Sequence, residues 1–318
     1  MTHALLIENL SKRYAGHTAV DDLSLAVPAG TIYGILGPNG AGKSTTIRMV
    51  MNIIIRDSGR VSLLGHDPEQ DREVLRRVGY LPEERGLYKK MKVIDVIVFF
   101  AQLKGVPAAT ARREGARWID RMGLGEWRNA RVETLSKGMQ QKVQFITTVI
   151  HQPDVLILDE PASGLDPVNQ EVLRDTILDA RAAGRTVIFS THNMAQAEEL
   201  CDDVCIIAQG RKVLDGGLRE VKRANRTNRY AFAFDEPDGA AGVPPRLDRR
   251  FGEPVRAGEG WEVELEPGAD PRGLLAALAA MDAPLVRFAR VEPSLHEIFV
   301  ARVGDASTPH RRPEPARV

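Results

Sequence analysis

The chain contains few cysteines, two in 318 residues. Cys201 and Cys205 lie four residues apart, without the neighbouring cysteines or histidines that a zinc site needs. So few cysteines also exclude a disulfide framework, and such a composition is typical of a cytosolic protein. We expect both thiols to be buried in an apolar stretch.

Long apolar runs are also missing. The longest, such as residues 93–100, are far shorter than the ~20 apolar residues that cross a bilayer as a helix. The first residues, MTHALLIENLSKRY, are interrupted by Glu8 and do not have the pattern of a signal peptide. We therefore expect the chain not to cross a membrane, so any membrane-spanning part must belong to another chain.

An excess of charge of either sign is missing as well. Lys+Arg and Asp+Glu both number 43, and the resulting net charge of zero favours neither nucleic acid nor an anionic membrane as partner. The remaining composition, with 43% hydrophobic and 27% charged residues, is that of an ordinary globular protein. The length suits two domains.

Residues 1–222 predict an α/β domain. Alternating apolar residues at 5–10 and 23–27 predict an antiparallel sheet. Short continuous apolar runs at 31–36, 155–158, 187–189 and 204–208 predict strands that are buried on both faces of a parallel sheet. Helical spacing at 45–55, 169–183 and 194–202 places helices between these strands, and this alternation is typical of α/β folds.

Two further regions differ from this pattern. Helical patterns at 93–104, 109–122 and 139–150 follow one another without strand signals and predict a helical subdomain at about residues 88–151. Residues 228–303 predict a small α+β domain, whose last helix has Ser294 as N-cap and Glu297 at its third position. Residues 304–318 are rich in proline, arginine and histidine and predict a disordered tail.

The segment GPNGAGKS, residues 37–44, matches the phosphate-binding pattern G-x-x-x-x-G-K-S/T between a predicted strand and a predicted helix. Glycines let backbone N–H groups approach phosphate oxygens, and the helix N-terminus adds a positive potential. We expect Lys43 to reach the β- and γ-phosphates and Ser44 to bind Mg²⁺. The predicted phosphate-binding residues are Gly37, Pro38, Asn39, Gly40, Ala41, Gly42, Lys43, Ser44 and Thr45.

An apolar run that ends in two acids, VLILDE, provides a second element of this site. A buried parallel strand brings the carboxylates at its C-terminal end to the ligand edge of the sheet. We expect Asp159 to hold Mg²⁺ and Glu160 to polarise the water that attacks the γ-phosphate.

Further segments resemble motifs of the ATP-binding cassette (ABC) family. LSKGMQ, residues 135–140, resembles its signature segment, and STH, residues 190–192, resembles the strand end that carries its switch histidine, His192. SGLD, residues 163–166, resembles the D-loop of the family, formed here by Ser163, Gly164, Leu165 and Asp166. The resemblance covers residues 1–220 and implies a P-loop ABC ATPase core, a mixed sheet with an antiparallel edge and a helical subdomain, that binds ATP and Mg²⁺. It also implies that His192 contacts the γ-phosphate and orients water or Glu160.

The signature segment predicts a second anion site, because a hydroxyl and a small residue precede a helix predicted to begin near Met139. The resemblance implies that this site closes over the ATP held by a second copy, in a head-to-tail dimer. The contacts across that interface are then Ser136, Lys137, Gly138 and Gln140.

Some positions leave alternatives open or depart from the family pattern. Tyr14 stands where the family has an aromatic residue on adenine, but Arg13 and His17 are equally placed to contact the base. Glu83 replaces the usual glutamine of the loop between the core and the helical part. Because a carboxylate is a better Mg²⁺ ligand than an amide, we expect Glu83 to contact the metal. Lys137 replaces a glycine, and it either adds positive charge near the γ-phosphate or faces solvent.

The subfamily and the partner follow from the same resemblance. YLPEERGLY, LSKGMQQK and the α+β extension resemble subunits of bacterial sodium and drug exporters, whose integral membrane permease is a separate chain. In the family, residues 83–91 receive a helix of the permease. Leu87, Tyr88 and Met91 among charged residues suit such an interface, or they form a local core. The implied location is the cytoplasmic face of the membrane, peripheral through the permease.

Three functions compete. The first is an ATPase that works as a homodimer and drives transport, with export implied by the resemblance. The second is a soluble ABC ATPase acting on the ribosome or on nucleic acid, which commonly has two cassettes or a long coiled coil. The third is a nucleotide-gated module without hydrolysis. One cassette, no heptad run, and both Glu160 and His192 favour the first function.

Overall fold

The computed structural model describes residues 2–84, 86–235 and 247–306. The chain forms two compact units. The large unit runs from the N-terminus to Leu218 and includes the segment that begins at Phe299, and the small unit is Arg219–Ile298.

The strands of the large unit are β1 (His3–Tyr14), β2 (His17–Pro28), β3 (Ile32–Leu36), β4 (Ser58–Leu63), β5 (Val78–Leu81), β6 (Val155–Asp159), β7 (Thr186–Thr191), β8 (Asp203–Ala208) and β9 (Arg211–Gly217). Its helices are α1 (Lys43–Val50), α2 (Val93–Leu103), α3 (Ala108–Arg121), α4 (Lys137–Val149), α5 (Pro167–Ala182) and α6 (Met194–Leu200). Thus α1 ends five residues earlier than predicted, and α4 begins two residues earlier.

The strands form two sheets. The first is antiparallel with the order β2-β1-β4, which confirms the predicted antiparallel sheet and adds β4. The second has the order β5-β6-β7-β3-β8-β9, in which only β9 is antiparallel to its neighbour. Because the carboxyl ends of β3, β5, β6 and β7 meet at one edge, the segments that follow these strands are brought together.

Apolar side chains from both sheets and α1 form one core cluster. The strands β3, β6 and β7 are buried along their whole length, as their continuous apolar runs predict. Cys201 and Cys205 are free and buried, as predicted. Burial raises the pKa of the Cys205 thiol to about 12.

Residues 93–149, all of them described, contain helices and turns without a strand, which confirms the predicted helical series. Helices α2 and α3 pack closely, since a Cβ on Gly115 would lie 2.9 Å from Cγ2 of Ile97. No helix within the described ranges is long and apolar enough to span a bilayer.

The small unit is α+β, and α7 and α9 extend across its boundaries. Its elements are α7 (Leu218–Ala224), β10 (Arg229–Phe234), β11 (Val255–Ala257), β12 (Gly260–Glu264), α8 (Pro271–Ala279), β13 (Leu285–Arg290) and α9 (Leu295–Ala306). The antiparallel sheet has the order β11-β12-β10-β13 and packs an apolar core that includes Phe232, Trp261 and Leu274.

The start of α9 has the predicted capping box. Ser294 Oγ accepts from the Glu297 N–H at 3.1 Å, and the Glu297 carboxylate accepts from the Ser294 N–H at 2.8 Å. The predicted tail is wrong at its first residues, because α9 continues through Ala306. The remaining residues of that prediction, 307–318, lie outside the described ranges.

Candidate nucleotide site

Two glycines of the loop between β3 and α1, Gly37 and Gly42, cannot be replaced without a clash. Gly42 has φ +106°, and a Cβ there would lie 2.4 Å from the carbonyl oxygen of Ala19. A Cβ on Gly37 would lie 2.1 Å from the carbonyl oxygen of Ile207. Gly42 caps α1 without a side-chain hydrogen bond, so the first N–H groups of the helix remain available to an anion.

Lys43 lies inside this loop and is 5% exposed. Its Nζ donates to the carbonyl oxygens of Gly37 at 2.8 Å and Pro38 at 3.2 Å. The same Nζ lies 3.4 Å from Oε1 of Glu160. The loop therefore holds a buried ammonium group where phosphate charge would arrive.

Asp159, at the end of β6, is fully buried. Its Oδ1 accepts hydrogen bonds from Ser44 Oγ at 3.1 Å and from Ser190 Oγ. Its Oδ2 has no hydrogen-bond partner in the described part of the chain. An unpaired carboxylate oxygen beside a hydroxyl suits a hard cation such as Mg²⁺, so these residues fit the predicted metal.

Glu160 adopts a left-handed backbone conformation, with φ +49°. Its N–H donates to both the carbonyl oxygen and Oγ of Ser190, each at 3.2 Å, which fixes this turn to the end of β7. Its Oε2 lies 3.0 Å from Nδ1 of His192, whose side chain is 59% exposed. The carboxylate therefore connects the buried lysine with a solvent-facing imidazole.

A cleft of about 600 Å³ opens over these groups. The predicted site residues that line it are Tyr14, Asn39, Gly40, Ala41, Gly42, Lys43, Ser44, Thr45, Glu83, Glu160, Ser163 and His192. Gly37 and Pro38 lie beneath it and provide the carbonyls that hold Lys43. His17 also lines the cleft, whereas Arg13 is not among the described residues that line it. Tyr14 and His17 thus remain as candidates for the base.

The signature residues do not line this cleft in the same chain. Ser136 is the N-cap of α4, and its Oγ accepts from the Met139 N–H at 3.2 Å. Lys137 is exposed, and a Cβ on Gly138 would lie 3.4 Å from the carbonyl oxygen of Gly164. The Gln140 amide donates to the carbonyl oxygens of Leu135 and Val132, at 3.0 and 3.3 Å, so this side chain already supports its own loop.

The D-loop precedes α5. Asp166 is the N-cap of that helix and accepts from the Asn169 N–H at 3.1 Å, a bond that lowers the pKa of the Asp166 carboxyl. Ser163 is exposed and lines the cleft beside Glu160. Gly164, with φ +74°, supplies the turn, and Leu165 is partly buried.

Sequence reasoning missed two residues that hold this site. Ser190 bonds both acids. Its position two residues before the predicted histidine was a signal, because it places Ser190 next to the end of the neighbouring strand β7. Gln144 donates to the backbone on both sides of Glu83. No local pattern distinguishes Gln144 from any other polar residue of α4.

Comparison with known proteins agrees with this arrangement. A family model described as ABC transporter matches residues 20–163. A model described as ATP-binding protein DrrA1-3-like, C-terminal domain, matches residues 216–303. The ABC transporter ATP-binding protein YhaQ of Bacillus subtilis (strain 168), itself uncharacterized, is 38% identical over 309 residues, 94% of this chain and 98% of that protein. The chain belongs to the ABC transporter family.

Other relatives extend the comparison. The daunorubicin/doxorubicin resistance ATP-binding protein DrrA of Streptomyces peucetius is 33% identical, over 95% of this chain and 93% of that protein. A solved ATP binding subunit of an ABC transporter has 29% identity and a TM-score of 0.66, over 70% of this chain and 93% of that one.

These matches confirm the predicted P-loop ABC core. The chain is an ABC transporter ATP-binding subunit, an ATPase whose hydrolysis is coupled to transport. Nothing in the comparisons favours the alternative of an ATPase that acts on the ribosome or nucleic acid.

Proposed function

We propose that this ABC subunit binds ATP with Mg²⁺, closes head-to-tail with a second copy, and hydrolyses ATP to drive export through a separate integral membrane permease. The observation that carries the proposal is the set of contacts in one cleft. Buried Lys43, the Ser44–Asp159 pair and the Glu160–His192 pair converge there.

Each residue has a chemical role in this proposal. Lys43 and the N–H groups of its loop bind the β- and γ-phosphates. Glu160 Oε2 accepts a proton from the attacking water as its oxygen bonds to the γ-phosphorus. The bond from that phosphorus to the β–γ bridging oxygen breaks, so ADP and inorganic phosphate leave. His192 Nδ1 is hydrogen-bonded to Glu160 Oε2; His192 thereby orients Glu160, and it also contacts the γ-phosphate.

Ser44 and Asp159 would hold Mg²⁺, with Glu83, which lines the same cleft, as a further contact. When bound, the ion neutralises charge on the phosphate oxygens. No group of three or more His, Cys, Asp or Glu side chains among the described residues forms a metal site alone. The unpaired Oδ2 of Asp159 supports a metal that arrives together with the nucleotide.

The dimer supplies the other half of the site. The exposed α4 N-terminus, with Ser136, Lys137 and Gly138, would meet the γ-phosphate held by the second copy. The D-loop residue Ser163 would then lie at the interface, beside Glu160.

The permease would dock at residues 83–91. Tyr88 is 53% exposed and packs edge-on against Phe99 of α2, with ring centroids 5.4 Å apart. The ring centroids of Phe100 and Tyr88 lie 6.0 Å apart. Two exposed lysines, Lys89 and Lys90, follow Tyr88 in the sequence. An exposed aromatic group with a charged rim suits a protein interface. Export is supported by the relative named for drug resistance, since outward transport confers resistance. The protein would then be peripheral at the cytoplasmic face of the membrane.

The test is ATP hydrolysis by the purified chain, with and without Mg²⁺. Removing the proton acceptor in Glu160→Gln should reduce kcat by about 10²–10⁴-fold, the usual contribution of a general base, while ATP binding persists. The matched control is Glu171→Gln, an exposed carboxylate on α5, which should retain the wild-type rate. A Glu160→Gln protein that hydrolyses ATP at the wild-type rate would refute the assigned role. Co-purification with a membrane protein tests the partner.

A further inference from the structure

Three side chains on one face of α4 and just beyond it bond the backbone of β5 and the loop that follows. We call Gln144, Thr148 and His151 the α4 row; they are spaced by four and then three residues. Gln144 Nε2 donates to the carbonyls of Glu84 (3.1 Å) and Pro82 (3.3 Å). The Thr148 hydroxyl is shared between the carbonyl of Gln144 in its own helix (3.0 Å) and that of Tyr80 (3.3 Å), and His151 Nε2 lies 3.3 Å from the carbonyl oxygen of Val78.

Gln144 differs from the other two residues in what it holds. Its side chain is 4% exposed, and its amide group donates to the two carbonyls that flank Glu83. The Gln144 Oε1 is buried without a hydrogen-bond partner among the residues that the structure describes. An unpaired buried oxygen destabilises a fold, so stability alone does not explain this side chain.

The helix that carries Gln144 is tightly joined to β5. A Cβ on Gly79 would lie 2.3 Å from the carbonyl oxygen of Thr148, so the two backbones touch. The same helix begins at Lys137 with Ser136 as its N-cap. Gln144 lies seven positions after Lys137 in the helix, a rise of about 10 Å. A displacement of the helix start therefore reaches Glu83 through a stiff connection.

We propose that Gln144 is a positioning residue that ties Glu83 to the signature helix. When Ser136 engages the nucleotide of the second copy, α4 carries the two flanking carbonyls with it and sets the distance of the Glu83 carboxylate from the metal. Gln144 thus links the half-site of one copy to the half-site of the other. This inference rests on the proposed function, which assigns nucleotide contact to Ser136 and metal contact to Glu83.

The test compares Gln144→Met, which keeps the side-chain volume but removes both donors, with Thr148→Val, which removes one donor from the same row. A nitroxide on Gly86→Cys reports the mobility of the loop, because Gly86 is exposed with open space around its Cβ position. The native thiols are buried and remain unlabelled. The half-maximal Mg²⁺ concentration for ATP hydrolysis and the melting temperature are measured in the same variants without the label.

We expect Gln144→Met to shift the equilibrium between held and mobile label about tenfold, the factor that 1.4 kcal/mol produces. The half-maximal Mg²⁺ concentration should rise about three- to tenfold, with the maximal rate regained at high Mg²⁺. Thr148→Val should lower the melting temperature without moving either quantity. In a Glu83→Gln background, Gln144→Met should add no further Mg²⁺ shift, because both changes act on one contact.

Two outcomes overturn the inference while the proposed function stands. In the first, wild type hydrolyses ATP and Gln144→Met changes neither the label nor the Mg²⁺ requirement. In the second, Thr148→Val shifts both quantities as much as Gln144→Met, which would assign the effect to packing of α4. If wild type hydrolyses no ATP, the proposed function fails and the inference falls with it.

Discussion

The buried hydroxyl of Ser190 provides a sharp test of how the two acids are held. Ser190 is fully buried at the end of β7, where its Oγ donates to Asp159 Oδ1 and accepts from the Glu160 N–H. In Ser190→Ala the bond to the carboxylate is lost. Hydrogen bonds to charged groups contribute about 1.5–3 kcal/mol to stability. Loss of the bond from the Glu160 N–H to the hydroxyl adds less, because this N–H still donates to the backbone carbonyl of residue Ser190. We therefore expect a loss of about 2–3 kcal/mol in the free energy of unfolding.

Differential scanning calorimetry of the full chain measures this loss. For a unit of this size, about 2–3 kcal/mol corresponds to a fall in melting temperature of about 4–12 °C. The control is Thr176→Val, which removes a buried hydroxyl that donates only to a carbonyl of its own helix and should cost less than about 1 kcal/mol. A Ser190→Ala protein that melts within about 1 °C of wild type would show that the hydroxyl does not hold Asp159.

Two further changes test the loop and the α4 row. Gly42 has φ +106°, and a Cβ there would lie 2.4 Å from the Ala19 carbonyl oxygen. Because the loop cannot keep its shape with this side chain, Gly42→Ala should abolish binding of a fluorescent ATP analogue. Gly40 has open space around its Cβ position, so Gly40→Ala should lower the free energy of unfolding by only about 1 kcal/mol. Equal binding of the analogue by Gly40→Ala and Gly42→Ala would contradict the importance of the clash at Gly42. Burial and then the Lys104 charge lower the pKa of His151 from 6.5 to about 4. Above pH 6.5 the ring is neutral in both states; as pH falls to 4 the unfolded chain gains the proton first, so stability is lost across this window. In urea unfolding, the free energy of unfolding of wild type should fall by about 2 kcal/mol more than that of His151→Gln over this range, after allowance for solvent screening. Parallel plots of unfolding free energy against pH for the two proteins would refute this.

The large elements could be predicted because their patterns are local. A continuous apolar run marked β3, β6, β7 and β8, and helical spacing marked α2, α3 and α4. The strands that escaped prediction, β4, β5, β9 and β11, are short or carry polar residues and glycine. Their pairing with neighbours distant in sequence determines them.

The site was predictable where a motif fixes the chemistry and not where the fold alone supplies the contact. The composition and order of the motifs in the sequence predict four of these residues, Lys43, Asp159, Glu160 and His192. Ser190 stands near the end of a predicted strand, but its hydrogen bonds to Asp159 and Glu160 depend on the pairing of β6 with β7.

Helical capping settled other details that the sequence left open. The predicted start of α4 was two residues late because the Ser136 hydroxyl caps the helix directly and allows it to begin at Lys137. The Gln140 amide donates to the carbonyls of Leu135 and Val132 in its own chain, and its contact with the nucleotide of a second copy stays a prediction.

The α4 row also protects the sheet from other chains. β5 is an edge strand, and an open edge offers unpaired carbonyls to any strand that can pair with it. Here the carbonyls of Val78 and Tyr80 are taken by side chains of His151 and Thr148. A variant that loosens α4 would therefore bare this edge to intermolecular strand addition. Aggregation at high protein concentration would then accompany any loss of hydrolysis.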